Sequence, residues 1–296
     1  FNLRRKFERK KKFDSFISTY LKLSKINYNH YNKLKKVNDY EIIVVGSDQI
    51  WNNSITKNID KAFFGIIENR DNLKKVISYA ASMKNDNITE YNKLVYIDYL
   101  NNIDAISVRE NDIKVLLSKL LKRPIELSVD PTLLLESAIW DKLAVSNSIK
   151  MEKYVLVYQV GFNKNTILIA QHIAKQIGAT VLEIASSISV IHRKHKIQTA
   201  SPQEFLGYIK NASCIITTSF HATVFSIIFK KPFYTIALNS SSDNRSFSLL
   251  HSLNLEHRMI NFLEKPKFEE IDYSNINDLL KEIRINSENF LITTLS

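Results

Sequence analysis

One cysteine, Cys214, and five glycines in 296 residues are the first scarcities of this chain. A single cysteine forms no intrachain disulfide, and no Cys/His set has the spacing of zinc ligands. A disulfide scaffold and a structural metal module are therefore set aside, and a reducing compartment is expected. A chain of this length ordinarily carries about 20 glycines, and the glycine-dependent signatures are absent. There is no dinucleotide fingerprint, no Walker loop and no nucleophile elbow, which argues against hydride transfer and P-loop phosphoryl transfer. No apolar run reaches the roughly 18 residues that span a bilayer. The charged start lacks the unbroken apolar stretch of a signal peptide. The chain opens on Phe1 and its first strong strand begins at residue 41, from which we expect an N-terminal truncation.

What is present is ordinary globular composition with an uneven charge. Hydrophobic residues at 45% and charged residues at 24% exclude a disordered chain. The formal charge is +11, and residues 1–36 hold 12 Lys/Arg against Glu8 and Asp14 alone. The other 260 residues carry 29 basic and 28 acidic side chains. A nucleic-acid binder spreads its excess over a face of its body and interleaves it with aromatics; this near-neutral body does neither. Residues 5–24 read as a basic amphipathic helix, with Phe13, Phe16, Ile17, Tyr20 and Leu21 on one stripe. Two readings stand for its charges: a solvated helix packed on the body, or contact of residues 4–25 with an anionic membrane.

After that helix, short apolar strands alternate with amphipathic helices. Strands are expected at 41–45, 75–79, 104–107, 125–129, 154–160, 180–184, 214–217 and 233–237. Helices are expected at about 88–101, 111–121, 164–177, 202–211, 221–230, 244–253 and 276–290. This pattern points to α/β folding around parallel sheet covered on both faces. The polar interval 142–153 marks a division into a first domain, 1–150, and a second, 151–296, each Rossmann-like, with the final helix packing back. Gly178 stands where a left-handed helix cap is wanted. Ser201-Pro202-Gln203-Glu204 has the form of a capping box with proline at the first helical position.

Ligands of open parallel sheets bind beyond the carboxyl ends of strands, and four strand exits carry polar residues. At Val45-Gly46-Ser47-Asp48-Gln49-Ile50-Trp51, a glycine that allows close approach precedes hydrogen-bonding side chains; the alternative is a tight turn with Trp51 as a packing anchor. Ile77-Ser78-Tyr79-Ala80-Ala81-Ser82 either leaves room for a ligand or permits close packing. Arg109, in Ser107-Val108-Arg109-Glu110, either binds a carboxylate or phosphate or pairs with Glu110 or another acid. At Ile216-Thr217-Thr218-Ser219-Phe220-His221-Ala222, three hydroxyl residues lead into a helix N-terminus, a natural anion site. His221 there is either a proton-exchanging group or a structural histidine. His192 and His195 lie in a basic loop with Arg193, Lys194 and Lys196, either solvated or in contact with an anionic substrate.

Taken in order, these stretches resemble the polysaccharide pyruvyl transferase family. They are joined by Val129-Asp130-Pro131-Thr132, by the segment Ala200 to Phe205 and by Lys231-Pro232-Phe233, over roughly residues 10–260. The resemblance implies two Rossmann-like domains in a GT-B-like arrangement, the first truncated at its N-terminus. It implies transfer of a pyruvyl group from phosphoenolpyruvate onto two hydroxyls of a sugar, giving a ketal and inorganic phosphate. By that resemblance His221 is the acid/base, and Arg109, Thr218, Ser219 and Arg245 bind the anionic donor. Gly46, Ser47, Asp48, Ser78 and Ser82 would line the cleft between the domains. No cofactor beyond the donor substrate is implied. The acceptor would be a sugar or lipid-linked oligosaccharide at the inner face of a bacterial cytoplasmic membrane. Ser219 departs from the arginine that many members carry two residues before the motif histidine, and the family's first strand and its loop have no counterpart here. A GT-B glycosyltransferase using a nucleotide sugar and a non-catalytic anion- or glycan-binding homologue are the alternatives.

Overall fold

Alternating apolar strands and helices produce two separate all-parallel sheets, as the computed structural model shows for residues 2–26, 28, 34, 40–67, 72–145, 152–189, 195–240 and 243–296. The first sheet holds β1 (Ile42–Val45), β2 (Lys75–Ala81), β3 (Ala105–Val108) and β4 (Glu126–Leu127), side by side in chain order. The second holds β5 (Tyr154–Gln159), β6 (Thr180–Ala185), β7 (Lys196–Ile197), β8 (Cys214–Thr217), β9 (Phe233–Ala237) and β10 (Met259–Asn261). Its order is β10-β9-β8-β5-β6-β7. The chain thus starts in the middle, winds one way through β7, then returns to the other side of β5 through β8. This is the doubly wound order whose direction reverses between β5 and β8.

Among the described residues the α-helices longer than one turn are α1 (Asn2–Tyr20), α2 (Lys93–Asn101), α3 (Asn111–Leu121), α4 (Ser137–Leu143), α5 (Lys164–Ile177), α6 (Pro202–Asn211), α7 (Phe220–Ile228), α8 (Asn244–Ser252) and α9 (Ser274–Leu295). Central strands β5 and β8 are apolar on both faces, with Val155, Leu156, Val157, Cys214, Ile215 and Ile216 fully buried. Helix α5 covers one face through Ile169, Ala170 and Ile173. Two local signals take the predicted form. Gly178 ends α5 at φ +64, where a Cβ would meet nothing but where the left-handed backbone itself disfavours other residues. The Ser201 side chain accepts from the Glu204 backbone N–H, and the Glu204 carboxylate accepts in return from the Ser201 N–H at 2.7 Å.

The chain divides into two compact units, one of Phe1–Ser24 with Leu135–Ile276 and one of Lys25–Leu134 with Asn277–Ser296. This differs from a division at residue 150. Helix α1, expected in the first domain, belongs with the six-stranded sheet because Lys12 pairs with Glu204 of α6 at 2.8 Å and Glu8 accepts from Thr199 at 3.0 Å. Most of α9 belongs with the four-stranded sheet. There Arg284 Nε donates to the Leu133 carbonyl at 2.7 Å, and Ser287 Oγ accepts from the Val129 N–H at 3.0 Å. Of the expected interval 142–153, residues 146–151 lie outside the described residues, as do His192, Arg193 and Lys194.

Candidate functional site

The crevice at a reversal of strand order is where an open α/β sheet receives ligands, and His221 stands there. Thr217 closes β8 beside Tyr158 of β5. Its hydroxyl donates to the Tyr158 carbonyl at 2.6 Å and accepts from the Ser219 N–H at 2.9 Å. That hydroxyl turns the chain sharply from strand to helix. Ser219 is then the N-cap of α7, its Oγ accepting from the Ala222 N–H, which leaves its own O–H to donate elsewhere. His221 follows in the first turn of α7, half-buried, with its ring 5.3 Å from that of Phe220.

Ser219 and His221 open onto a cavity of about 270 Å³. Tyr158 and Val160 at the end of β5, Ile184 and Ala185 at the end of β6, and Ser201, Pro202 and Phe205 opening α6 form its walls. The remaining wall is α1, through Arg9 and Phe13. Behind the apolar side, Tyr158, Phe205, Phe225 and Trp140 form a chain of edge-on aromatic contacts at 4.9 to 6.4 Å. Burial raises the Tyr158 hydroxyl pKa, and the positive charge of Arg9 opposes that rise.

The other expected anion ligands divide. Thr218 does not line this cavity. Its hydroxyl accepts from the Val160 N–H and donates to the Gly161 carbonyl, both at 3.1 Å, and so secures the exit of β5. Arg245 places its guanidinium over the Phe220 ring at 5.8 Å, so one aromatic ring contacts both Arg245 and His221.

The four-stranded unit holds a different constellation. Arg109, offered from the sequence as either an anion ligand or an ion-pair partner, takes the second role. Its side chain is 3% exposed, with Nη1 2.5 Å from Asp130 and Nη2 2.8 Å from Asp48 and 2.9 Å from the Ser82 hydroxyl. Burial works to lower its pKa, but Glu110, Asp130 and Asp48 outweigh it and hold the pKa above the ordinary value. Ser82 in turn donates to Glu110 at 2.5 Å and accepts from Gln49 at 2.8 Å. Three carboxylates around one cation make this centre net acidic, unsuited to a second anion.

The residues expected to line a cleft follow the same network. Ser78 and Ser82 are fully buried and do not line one. Ser78 donates to the Ser107 carbonyl at 3.1 Å, bridging β2 and β3. Ser47 donates to the Ala80 carbonyl at 2.9 Å. Gly46, at φ +141, brings the backbone so close to Tyr79 that a Cβ would lie 2.1 Å from its carbonyl oxygen. Asp48 alone of this group keeps half of its side chain exposed. Trp51 is the packing anchor: it is 2% exposed, donates to the Phe63 carbonyl at 2.9 Å and stacks on Phe64.

Arg9 and Phe13 are the site residues that sequence reasoning missed. Their only signal was the amphipathic stripe of the first helix, which shows that a face packs without showing on what.

Comparison with known proteins adds a family. The sequence model described as polysaccharide pyruvyl transferase matches residues 2–240. No curated protein matches the chain. Among solved structures, a mutant of Thermobaculum terrenum O-GlcNAc transferase is similar at TM-score 0.44 and 9% identity, over 95% of this chain and 55% of that one. Arabidopsis thaliana UGT89C1 complexed with quercetin is similar at TM-score 0.35 and 7% identity, over 77% of this chain and 66% of that one. The chain thus spans about half to two thirds of the length of these structures. Both likenesses are too slight to carry an argument about function.

Proposed function

The chain belongs to the polysaccharide pyruvyl transferase family, and from that premise we propose that it moves a pyruvyl group from phosphoenolpyruvate onto two hydroxyls of one sugar. The observation that carries the reading is the placement of His221 at the reversal of strand order, beside a cavity of about 270 Å³. That volume is near the small end of ligand sites. It suits a three-carbon phosphate or one sugar ring better than a whole nucleotide sugar.

In this reading His221 delivers a proton to the methylene carbon of the donor, which makes the neighbouring enol carbon electrophilic. The first sugar hydroxyl adds to that carbon and gives up its proton. The C–O bond to phosphate then breaks, and the second hydroxyl closes the ketal. Of the two hydroxyl protons, one balances the new methyl group and the other leaves on phosphate. The Ser219 hydroxyl and the positive end of the α7 dipole face the negative charge of the donor. Thr218 and Arg245 support this loop, Thr218 by fixing the end of β5 and Arg245 through Phe220.

The acceptor would be a surface-polysaccharide precursor, free or lipid-linked, reached from the cytoplasmic side of the membrane. Among the described residues no helix is long and apolar enough to cross a membrane. The exposed basic face of α1 supports a peripheral contact instead. Incubating the protein with phosphoenolpyruvate and a panel of sugar acceptors should release phosphate and add a pyruvyl mass to one acceptor. Folded protein that does neither across the panel contradicts the proposal.

A further inference from the structure

One wall of the cavity at His221 comes from α1 and not from the strands and helices of the doubly wound order. Along α1 the basic side chains separate by what they meet. Arg4, Lys6, Lys10 and Lys11 are exposed, and Lys12 is tied to Glu204. Arg9 is half-buried at the cavity wall, with its guanidinium 5.6 Å from the Phe13 ring centre. Among the described residues no carboxylate lies within ion-pair distance of Arg9, and no acidic side chain lines the cavity. A cation taken partly out of water beside aromatic walls carries a desolvation cost that only an opposite charge offsets well. The described lining of the cavity brings no such charge of its own. Among the described residues its other polar side chains are the hydroxyls of Ser219, Ser201 and Tyr158 and the ring of His221.

We infer that Arg9 is the anion-binding residue of this cavity, pairing with the carboxylate or phosphate of a small substrate whose reacting atom is held at His221. This rests on the proposed reaction for the identity of the substrate, phosphoenolpyruvate, and on the cavity alone for the charge it requires. The guanidinium fork matches either anion bidentately. Helix α1 is therefore part of the site, which explains why Lys12 and Glu8 fasten it to α6 and to Thr199.

The test is calorimetric titration of wild type, Arg9→Gln and Lys11→Gln with phosphoenolpyruvate, inorganic phosphate and pyruvate. Glutamine keeps helix propensity and removes the charge, and Lys11→Gln makes the same charge change on the exposed face. Arg9→Gln should weaken phosphoenolpyruvate binding by about tenfold or more, the worth of one charge-assisted contact, with Lys11→Gln within about twofold of wild type. A matching loss for phosphate or for pyruvate supports the assignment and identifies the end of the donor that Arg9 holds. Equal affinity of Arg9→Gln and wild type, an equal loss in Lys11→Gln, or a wild type that binds none of the three overturns it. Wild type that binds phosphoenolpyruvate but forms no ketal when the panel of sugar acceptors is added overturns the proposed reaction and leaves Arg9 standing. Ketal formation with unchanged affinity in Arg9→Gln does the reverse.

Discussion

Lys12 Nζ lies 2.8 Å from Glu204 Oε2, joining the basic first helix to the capping box that opens α6. Burial works to raise the Glu204 pKa, but the bonds from Lys12 and Ser201 outweigh it and leave it below the ordinary carboxylate value. A depressed folded pKa gives stability that is present above the unfolded value and lost as pH falls through the folded one. Glu204→Gln, which retains the capping geometry, should be less stable than wild type by about 1 kcal/mol at neutral pH. The gap should close as pH falls below about 4.5. Urea unfolding at a series of pH values measures it, and a gap that persists in acid contradicts the pairing.

Arg109 invites the opposite expectation from a ligand-binding arginine. It neutralises the buried carboxylates of Asp130 and Glu110 inside the four-stranded unit, so its removal leaves them without a cation. Arg109→Met should cost about 3–5 kcal/mol of stability. Chemical denaturation decides: a variant of wild-type stability with weakened donor binding would restore the role of a direct ligand.

The exposed part of the basic helix makes a separate claim about location. With Arg4, Lys6, Lys10 and Lys11 all changed to Gln, binding to phosphatidylserine-containing vesicles should fall on the order of a hundredfold or more, since each residue contributes about 1 kcal/mol near an anionic surface. Co-sedimentation at low and high salt is the measurement. Salt-insensitive binding, or none by wild type, removes the membrane from the account.

His221→Ala should lower the turnover of ketal formation by about 10²–10⁴-fold, the usual range for a lost general acid or base. Its unfolding midpoint should stay close to wild type, because the ring is half-buried and outside the core. Turnover that survives the substitution reduces His221 to a cavity-lining residue.

The sequence showed the fold where the physics is local. The run Cys214–Thr217 is a strand because it is apolar and β-branched, and the helix after it starts where Ser219 can cap it. Strands β7 and β10, of two and three residues, were not expected because so short a run has no measurable periodicity. The site was legible only in part, for a different reason. Arg109 and Asp130 lie 21 positions apart and meet across the exits of neighbouring strands, and no local pattern reports such a pairing. Arg9 reaches a cavity walled by residues 149 to 212 positions further on. Its basic neighbours in sequence face solvent. The charge excess of the first helix is therefore mixed in purpose: Lys12 fastens the helix, Arg9 faces the cavity, and Arg4, Lys6, Lys10 and Lys11 are exposed.

The central claim is pyruvyl transfer with a proton delivered to the donor's methylene carbon, and it is tested most directly by running the reaction in deuterated water. Mass spectrometry and NMR of the purified sugar should show a pyruvyl ketal whose methyl group carries one deuteron, formed by wild type and nearly absent with His221→Ala. A sugar recovered without the pyruvyl group, or a ketal whose methyl group carries no solvent deuteron, would contradict it.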